Sequence, residues 1–399
     1  MHNRFFATFI VFFLLLNVKK VSAQEEFIEP PSRYLTTIPF IQLTGGIVLM
    51  QARVGNLPDT LNFILDTGSS GISLDSTTVE YLKLKRIPTN KTIRGIAGIR
   101  TVSFVYDQQL HITGLTMDSL DFHINNYEIL TYVYGVPING IIGYSVLSRY
   151  IIKIDYDSSK IHFWSHGTLR YPKGGFLLKP LMGTLPVYPL RVRDAKTINT
   201  RFLYDMGAGL CLMLSKDLIA DSNFLGKRRK IWPKEAEGLG GKVDMELTVI
   251  REVKLGPYRF RNVPVLVFDD VYNVTSYPYL GGLIGNELLR RFNVILNYDK
   301  KDIYLVPNSH FNENFDYSYP GIELYYLNGQ IIIGDVSKNS PAERAGLREG
   351  DIVIAVDKNF SQNLNLYKIA LQSPNQQIKL IIKRGSELKE IQFRIGSIF

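Results

Sequence analysis

The sequence predicts a mostly β protein, with two pseudo-symmetric β lobes in one chain followed by a small α+β domain. Three observations predict it. A strand–aspartate–glycine motif and a Gly-x-x-Gly element both occur twice, at nearly the same offset. Phe, Tyr, Ile, Val and Thr are abundant and Gly, Pro and Asn interrupt them often, which favours short strands and turns. Beyond about residue 318 the pattern changes to strands mixed with two short helix signals.

The repeat carries the division into lobes. Leu61-Asn62-Phe63-Ile64-Leu65-Asp66-Thr67-Gly68 is matched by Thr200-Arg201-Phe202-Leu203-Tyr204-Asp205-Met206-Gly207, with the aspartates 139 positions apart. Gly140-Ile141-Ile142-Gly143 is matched by Gly282-Leu283-Ile284-Gly285, offset by 142. Val146 to Tyr150 answers Leu288 to Phe292, and Ile154-Asp155-Tyr156-Asp157 answers Leu296-Asn297-Tyr298-Asp299. Short apolar strings matching by chance would not keep order and offset over a hundred residues. This places lobe one at 33–170 and lobe two at 171–310. Ile47 to Val54 alternates apolar and polar as a half-buried strand does, and helical signal is expected only after each Gly-x-x-Gly element. Asn312 to Tyr319 reads as a linker.

Residues 1–23 read as a signal peptide. Arg4 precedes an apolar run from Phe5 to Val18, and Val21-Ser22-Ala23 offers a cleavage site. The run is short for a span, although an uncleaved anchor is the other reading. Export is therefore expected, to the periplasm or outside the cell, with no stable membrane span after cleavage. Cys211 is the one cysteine, so an intramolecular disulfide is impossible and the core alone must hold the fold. Cys211 lies in an apolar run and is expected to be a core residue. The net charge of +9 falls to +6 without the signal, and the basic run Lys227 to Lys230 reads as a solvated loop, so no nucleic-acid partner is expected.

The chemistry follows from the repeated aspartates. A carboxylate at the end of an apolar strand is pushed toward a low-dielectric site and needs donors. Gly68 and Gly207 let the chain turn and present N–H groups, while Thr67 can add a hydrogen bond. Packed about a pseudo-twofold axis, Asp66 and Asp205 would face each other and share one proton. One could then act as base toward water while the other protonates an amide carbonyl. That chemistry needs neither cofactor nor metal. No Gly-x-Ser-x-Gly elbow or His-Glu-x-x-His zinc spacing offers another hydrolase, and His111, His123, His162 and His166 read as packing or surface residues.

Asp66-Thr67-Gly68-Ser69-Ser70-Gly71 with Gly140-Ile141-Ile142-Gly143 resembles the retropepsin-like and pepsin-like aspartic proteases, over about 33–310. The resemblance implies two acid-protease β-barrel lobes, a catalytic pair Asp66 and Asp205, and support of the pair by Gly143 and Gly285. It also implies Gly-rich flaps over the cleft, for which Gly95 and Gly98 in one lobe and Gly240 and Gly241 in the other are the matches. The second motif departs from the family at Met206, where Thr or Ser would brace the two loops. Loss of that hydroxyl is expected to loosen the geometry by about 1 kcal/mol.

Residues 318–399 resemble a bacterial-type PDZ domain. The string Ser340-Pro341-Ala342 … Ala345-Gly346-Leu347 … Gly350-Asp351-Ile352-Val353 carries the likeness. It implies peptide binding along Gly321, Ile322, Glu323 and Leu324. Taken together, an exported monomeric aspartic endopeptidase acting on proteins or peptides is expected. The other readings are a non-catalytic peptide-binding scaffold, and a homodimer pairing two copies of Asp66.

Overall fold

The computed structural model describes residues 29–238 and 241–399. The segment assigned as a signal peptide lies outside them. Among the described residues no helix is long and apolar enough to cross a membrane.

Each repeat closes a barrel. In the first, strand Val48–Val54 pairs on one side with Leu61–Leu65 and on the other with Gly98–Ile112 (Arg53 opposite His111), and Gly140–Ile142, Ile72–Asp75 and Leu115–Asn125 complete the six-strand ring. Its residues alternate as expected, with Gln51 and Arg53 outside and Met50, Ala52 and Val54 inside. The second repeat has the same order. Pro186–Arg193 pairs with Thr197–Tyr204 and closes on Gly241–Leu255, with Gly282–Ile284, Leu212–Ser215 and Tyr258–Phe268 between them. A third sheet of six strands fastens the lobes. Ile151–Asp155 lies antiparallel to Phe292–Asn297, so each lobe contributes one central strand. A single apolar cluster runs through both barrels.

Helices are more numerous than the sequence reading expects. The expected pair is there, one turn after each Gly-x-x-Gly element. Three others precede them in their lobes. In chain order α1 is Ser76–Tyr81, α2 is Glu128–Tyr134, α3 is Tyr144–Leu147, α4 is Lys216–Ser222 and α5 is Asn286–Leu289. The missed signals for α1 and α4 are their caps. Asp75 accepts from Thr77 N and Thr78 N, and Ser215 from Leu218 N, at matching places in the two copies. Thr77, Thr78 and Val79 are poor helix formers, and packing overrides their propensity. Helix α2 belongs to the first lobe alone; the matching stretch 269–281 of the second is made of turns and bends.

The segment expected as a linker is packed against the second lobe. Arg291 is buried, stacks 4.2 Å from the Phe315 ring, and donates to the Glu313 and Asn314 carbonyls. A buried guanidinium with five donors is costly unless carbonyls meet it, so Arg291 holds residues 313–315 in place. Beyond it, five strands from Ile322–Leu327 to Glu387–Arg394 form the last sheet, with helices α6 (Pro341–Arg344) and α7 (Leu364–Ala370) and their own apolar core.

Candidate active site

Parallel pairing of Leu61–Leu65 with Gly140–Ile142 and of Thr197–Tyr204 with Gly282–Ile284 brings each Asp-Gly turn over its Gly-x-x-Gly element. Asp66 N donates to Ile142 O at 2.9 Å, and Asp205 N to Ile284 O at 3.0 Å. Gly143 N donates to Gly71 O, and Gly285 N to Cys211 O. A side chain at Gly143 would strike Ser69 O at 2.3 Å, and one at Gly285 would strike Leu210 O at the same distance. Only glycine fits beneath these turns.

The two aspartates face each other across the pseudo-twofold axis. Gly68 N donates to Asp66 Oδ1 at 2.6 Å, and Gly207 N to Asp205 Oδ1 at 2.9 Å. A Cβ on Gly68 would stand 2.5 Å from Asp205 Oδ2, and one on Gly207 2.3 Å from Asp66 Oδ1. Each glycine thus admits the other lobe's carboxyl. Burial raises the Asp66 carboxyl above its ordinary value, against hydrogen bonds from Asp205 and from the Gly68, Gly207 and Ser69 backbone. Burial and then the charge of Asp66 push Asp205 well above the usual range, and the two carboxyls hydrogen-bond each other. The pair therefore keeps one proton where isolated aspartates have lost theirs.

Thr67 is the brace. Its buried hydroxyl donates to Tyr204 O at 2.7 Å and accepts from Met206 N at 2.9 Å, both in the other lobe. Met206 cannot return the bond, but its side chain is wholly buried in the shared core. Burying a Met side chain contributes about 1.5–3 kcal/mol, and one hydrogen bond about 0.5–1.5. The loosening expected from the missing hydroxyl is therefore offset in stability. What is lost is one side of a two-way tie.

The proton held by the pair has a consequence for folding. A carboxyl whose folded pKa is raised stabilises fully below the unfolded value and loses that contribution as pH rises through the folded one. Asp205→Asn is thus expected to melt about 2–4 °C above the parent at neutral pH, the shift given by about 1 kcal/mol. The gap should close below about pH 4, where an unfolded aspartate is also protonated. Calorimetry across pH reads both effects.

Residues 50–146 and 188–288 match the family described as aspartyl protease, and residues 332–384 match the PDZ domain. This chain carries a tandem aspartyl protease domain followed by a PDZ domain. Among curated relatives, a "Probable CtpA-like serine protease" of Staphylococcus haemolyticus (strain JCSC1435) is 37% identical over 93 residues, 22% of this chain and 19% of that protein. Proteins of the same name from Staphylococcus aureus strains COL and N315 are 32% identical over 89 residues, 21% of this chain and 18% of theirs. The chain thus spans about a fifth of the length of the curated relatives it matches, a stretch the size of one small domain.

In the first protease lobe Gly95 and Gly98 are paired across a two-residue hairpin turn, and Ile96 at its tip packs against apolar residues of the second lobe that include Met213 and Leu283. Arg94 Nη1 donates to Asn273 O, also across the cleft. In the second lobe Gly241 opens a strand opposite Gly238, and Gly240 lies outside the described residues. The PDZ residues are placed differently from one another. Gly321 takes φ +79°, and a Cβ there would strike Ser340 Cβ at 2.1 Å. Ile322 and Leu324 point into the PDZ core. Glu323, half-buried, forms an ion pair with Lys234 of the second lobe, and that charge, with Lys368, holds it below the usual glutamate range against its desolvation. The Glu323 carboxylate is thus engaged by the protease lobe, which leaves its backbone as the part a paired ligand strand would meet.

Sequence reasoning missed Arg291 and Tyr127. Tyr127 is buried, its N–H donates to Asp75 Oδ1 at 2.8 Å, and its hydroxyl lies 2.7 Å from Ser73 Oγ. Nothing in its spacing sets it apart from the other tyrosines. Cys211 is buried, as its apolar run suggests, and burial pushes its thiol up, away from nucleophile chemistry.

Proposed function

We propose that this protein is an exported aspartic endopeptidase, active as a monomer, in which Asp66 and Asp205 hydrolyse peptide bonds by activating water. The observation that carries the reading is the mutual approach of the two carboxyls, each held by its own glycine N–H and admitted by the other lobe's glycine. With one proton on the pair, the ionised carboxylate takes a proton from water as its oxygen attacks the carbonyl carbon. The other carboxyl gives its proton to the carbonyl oxygen. Collapse of the tetrahedral intermediate breaks the C–N bond: the amine takes a proton from one carboxyl while a hydroxyl of the intermediate returns its proton to the other, and a singly protonated pair is restored. The hairpin tip at Ile96 would act as the flap, closing over substrate from the first lobe.

One chain supplies both aspartates and both central strands of the fastening sheet, which supports a monomeric catalyst over a dimer of Asp66. Arg229 in the basic run is bound to Asp194, Thr248 and Val249, which speaks against a free basic surface for nucleic acid. Export rests on the N-terminal sequence. The PDZ domain would bind peptides or regulate access to the cleft. Incubation with a mixed peptide library from acid to alkaline pH tests the activity. Cleavage is expected with a bell-shaped pH profile, its two limbs belonging to the pair. Absence of cleavage at every pH would leave the non-catalytic scaffold as the reading.

A further inference from the structure

The PDZ strand Ile322–Leu327 is the edge of its sheet, with Gln330–Val336 on one side only. An edge of this kind invites another strand. Here it is covered by α2, the helix present in the first lobe and absent from the second. The end of α2 enters the space between that strand and α7. A Cβ on Gly135 would stand 3.2 Å from Leu364 Cβ on α7 and 3.6 Å from Tyr326 Cβ on the strand. Lys368 of α7 donates to Val133 O at 2.6 Å. Leu130 and Tyr134 of α2 also pack on the first-lobe cluster that includes Ile47, Leu49 and Ile64. What remains open is a cavity of about 360 Å³, bounded by Leu130, Val133, Leu210, Pro233, Ile322 and Lys368. It joins the proximal PDZ groove to the loop that carries Asp205.

We propose that α2 is a built-in occupant of the PDZ groove, and that an extended peptide competes with it for the Ile322–Leu327 edge. This rests on the reading of the PDZ domain as a peptide binder. A helix spends its N–H and C=O groups within itself, so α2 covers the strand without extending the ladder. A peptide strand adds main-chain hydrogen bonds that the helix cannot make, and so can displace it. Until it does, the groove is competent only for the fraction of time that α2 is away, and apparent affinity falls by that fraction. Displacement also reaches the dyad's support. Tyr127, just before α2, hydrogen-bonds Ser73; Ile141 N donates to Ser73 Oγ, and the next residue's carbonyl accepts from Asp66 N.

The test is a reversible lock. Gly135→Cys with Tyr326→Cys places two thiols at a separation suited to a disulfide, and Cys211 is buried away from them. Short fluorescein-labelled peptides with randomised free C-termini serve as probe, read by anisotropy. The reduced protein is expected to bind the pool, and the oxidised protein to bind on the order of tenfold more weakly or not at all, with recovery on reduction. Equal affinity in the two states would overturn the occupied groove and leave the PDZ domain a peptide binder. Silence of the wild type and of both states would overturn peptide binding itself, and the occupant with it. If the double variant misfolds, hydrogen exchange on the wild type decides. Peptide should speed exchange of the Thr131 and Gly135 amides, which donate within the helix; unchanged protection with peptide bound would overturn the proposal.

Discussion

Asp205→Asn should abolish peptide cleavage, with a loss on the order of 10³-fold or more in kcat/KM. Asparagine keeps the size and the Gly207 N–H contact but carries no proton to give and takes none up. The dyad then lacks the group that exchanges protons with carbonyl and leaving amine, and general acid–base catalysis alone is worth about 10²–10⁴. Asp66→Asn should lose as much, since each carboxyl sets the other's protonation. Single-turnover kinetics on a library-derived peptide reads both. Asp205→Asn retaining the parent rate while Asp66→Asn is dead would instead favour two chains pairing their first lobes. Equal retention in both would remove the dyad from the mechanism altogether. The same Asp205→Asn protein should be the more stable one at neutral pH, so lost turnover cannot be put down to unfolding.

Thr67→Val should destabilise the protein by about 2–4 kcal/mol and cut turnover with it. The hydroxyl serves two buried backbone groups of the other lobe, the Tyr204 carbonyl and the Met206 N–H. Valine fills the same space and leaves both without a partner, at about 1–3 kcal/mol each. Thr67→Ser, which keeps the hydroxyl, should restore most of the loss, and that rescue separates the hydrogen bonds from simple packing. Denaturant titration at fixed pH gives the stability. The expected effect is large because Met206 offers no second hydroxyl to share the task. With a hydroxyl on both loops, deletion of either would leave one tie standing.

Much of the architecture is legible in the chain itself. A motif repeated with its supporting element at nearly one offset dictates two copies of one fold, and apolar strands ending in Asp-x-Gly dictate where the carboxyls emerge. Glycine at 143 and 285 is likewise readable, because backbone crowds those sites from within the repeated unit, whereas the carboxyls that crowd 68 and 207 come from the other lobe. Helices α1 and α4 were less legible: Thr77, Thr78 and Val79 of α1 favour strands, and the caps of both are single side chains. Arg291, Tyr127 and the fate of the segment 312–319 were not legible at all. Tyr127 meets Ser73 across 54 positions, Arg291 meets Glu313 across 22 and Tyr319 meets Pro233 across 86, and no periodicity records such distances.

By itself, the sequence determined two β lobes with paired aspartates and a PDZ-like end, because each is written in local pattern and in the repeat. Tertiary structure alone decided how Met206 is compensated, for that depends on how much of its side chain the shared core buries. It also decided that Glu323 serves the protease lobe and that α2 covers the PDZ edge. Those contacts join elements whose spacing in the chain says nothing about their meeting in space, and only packing of the three domains brings them together.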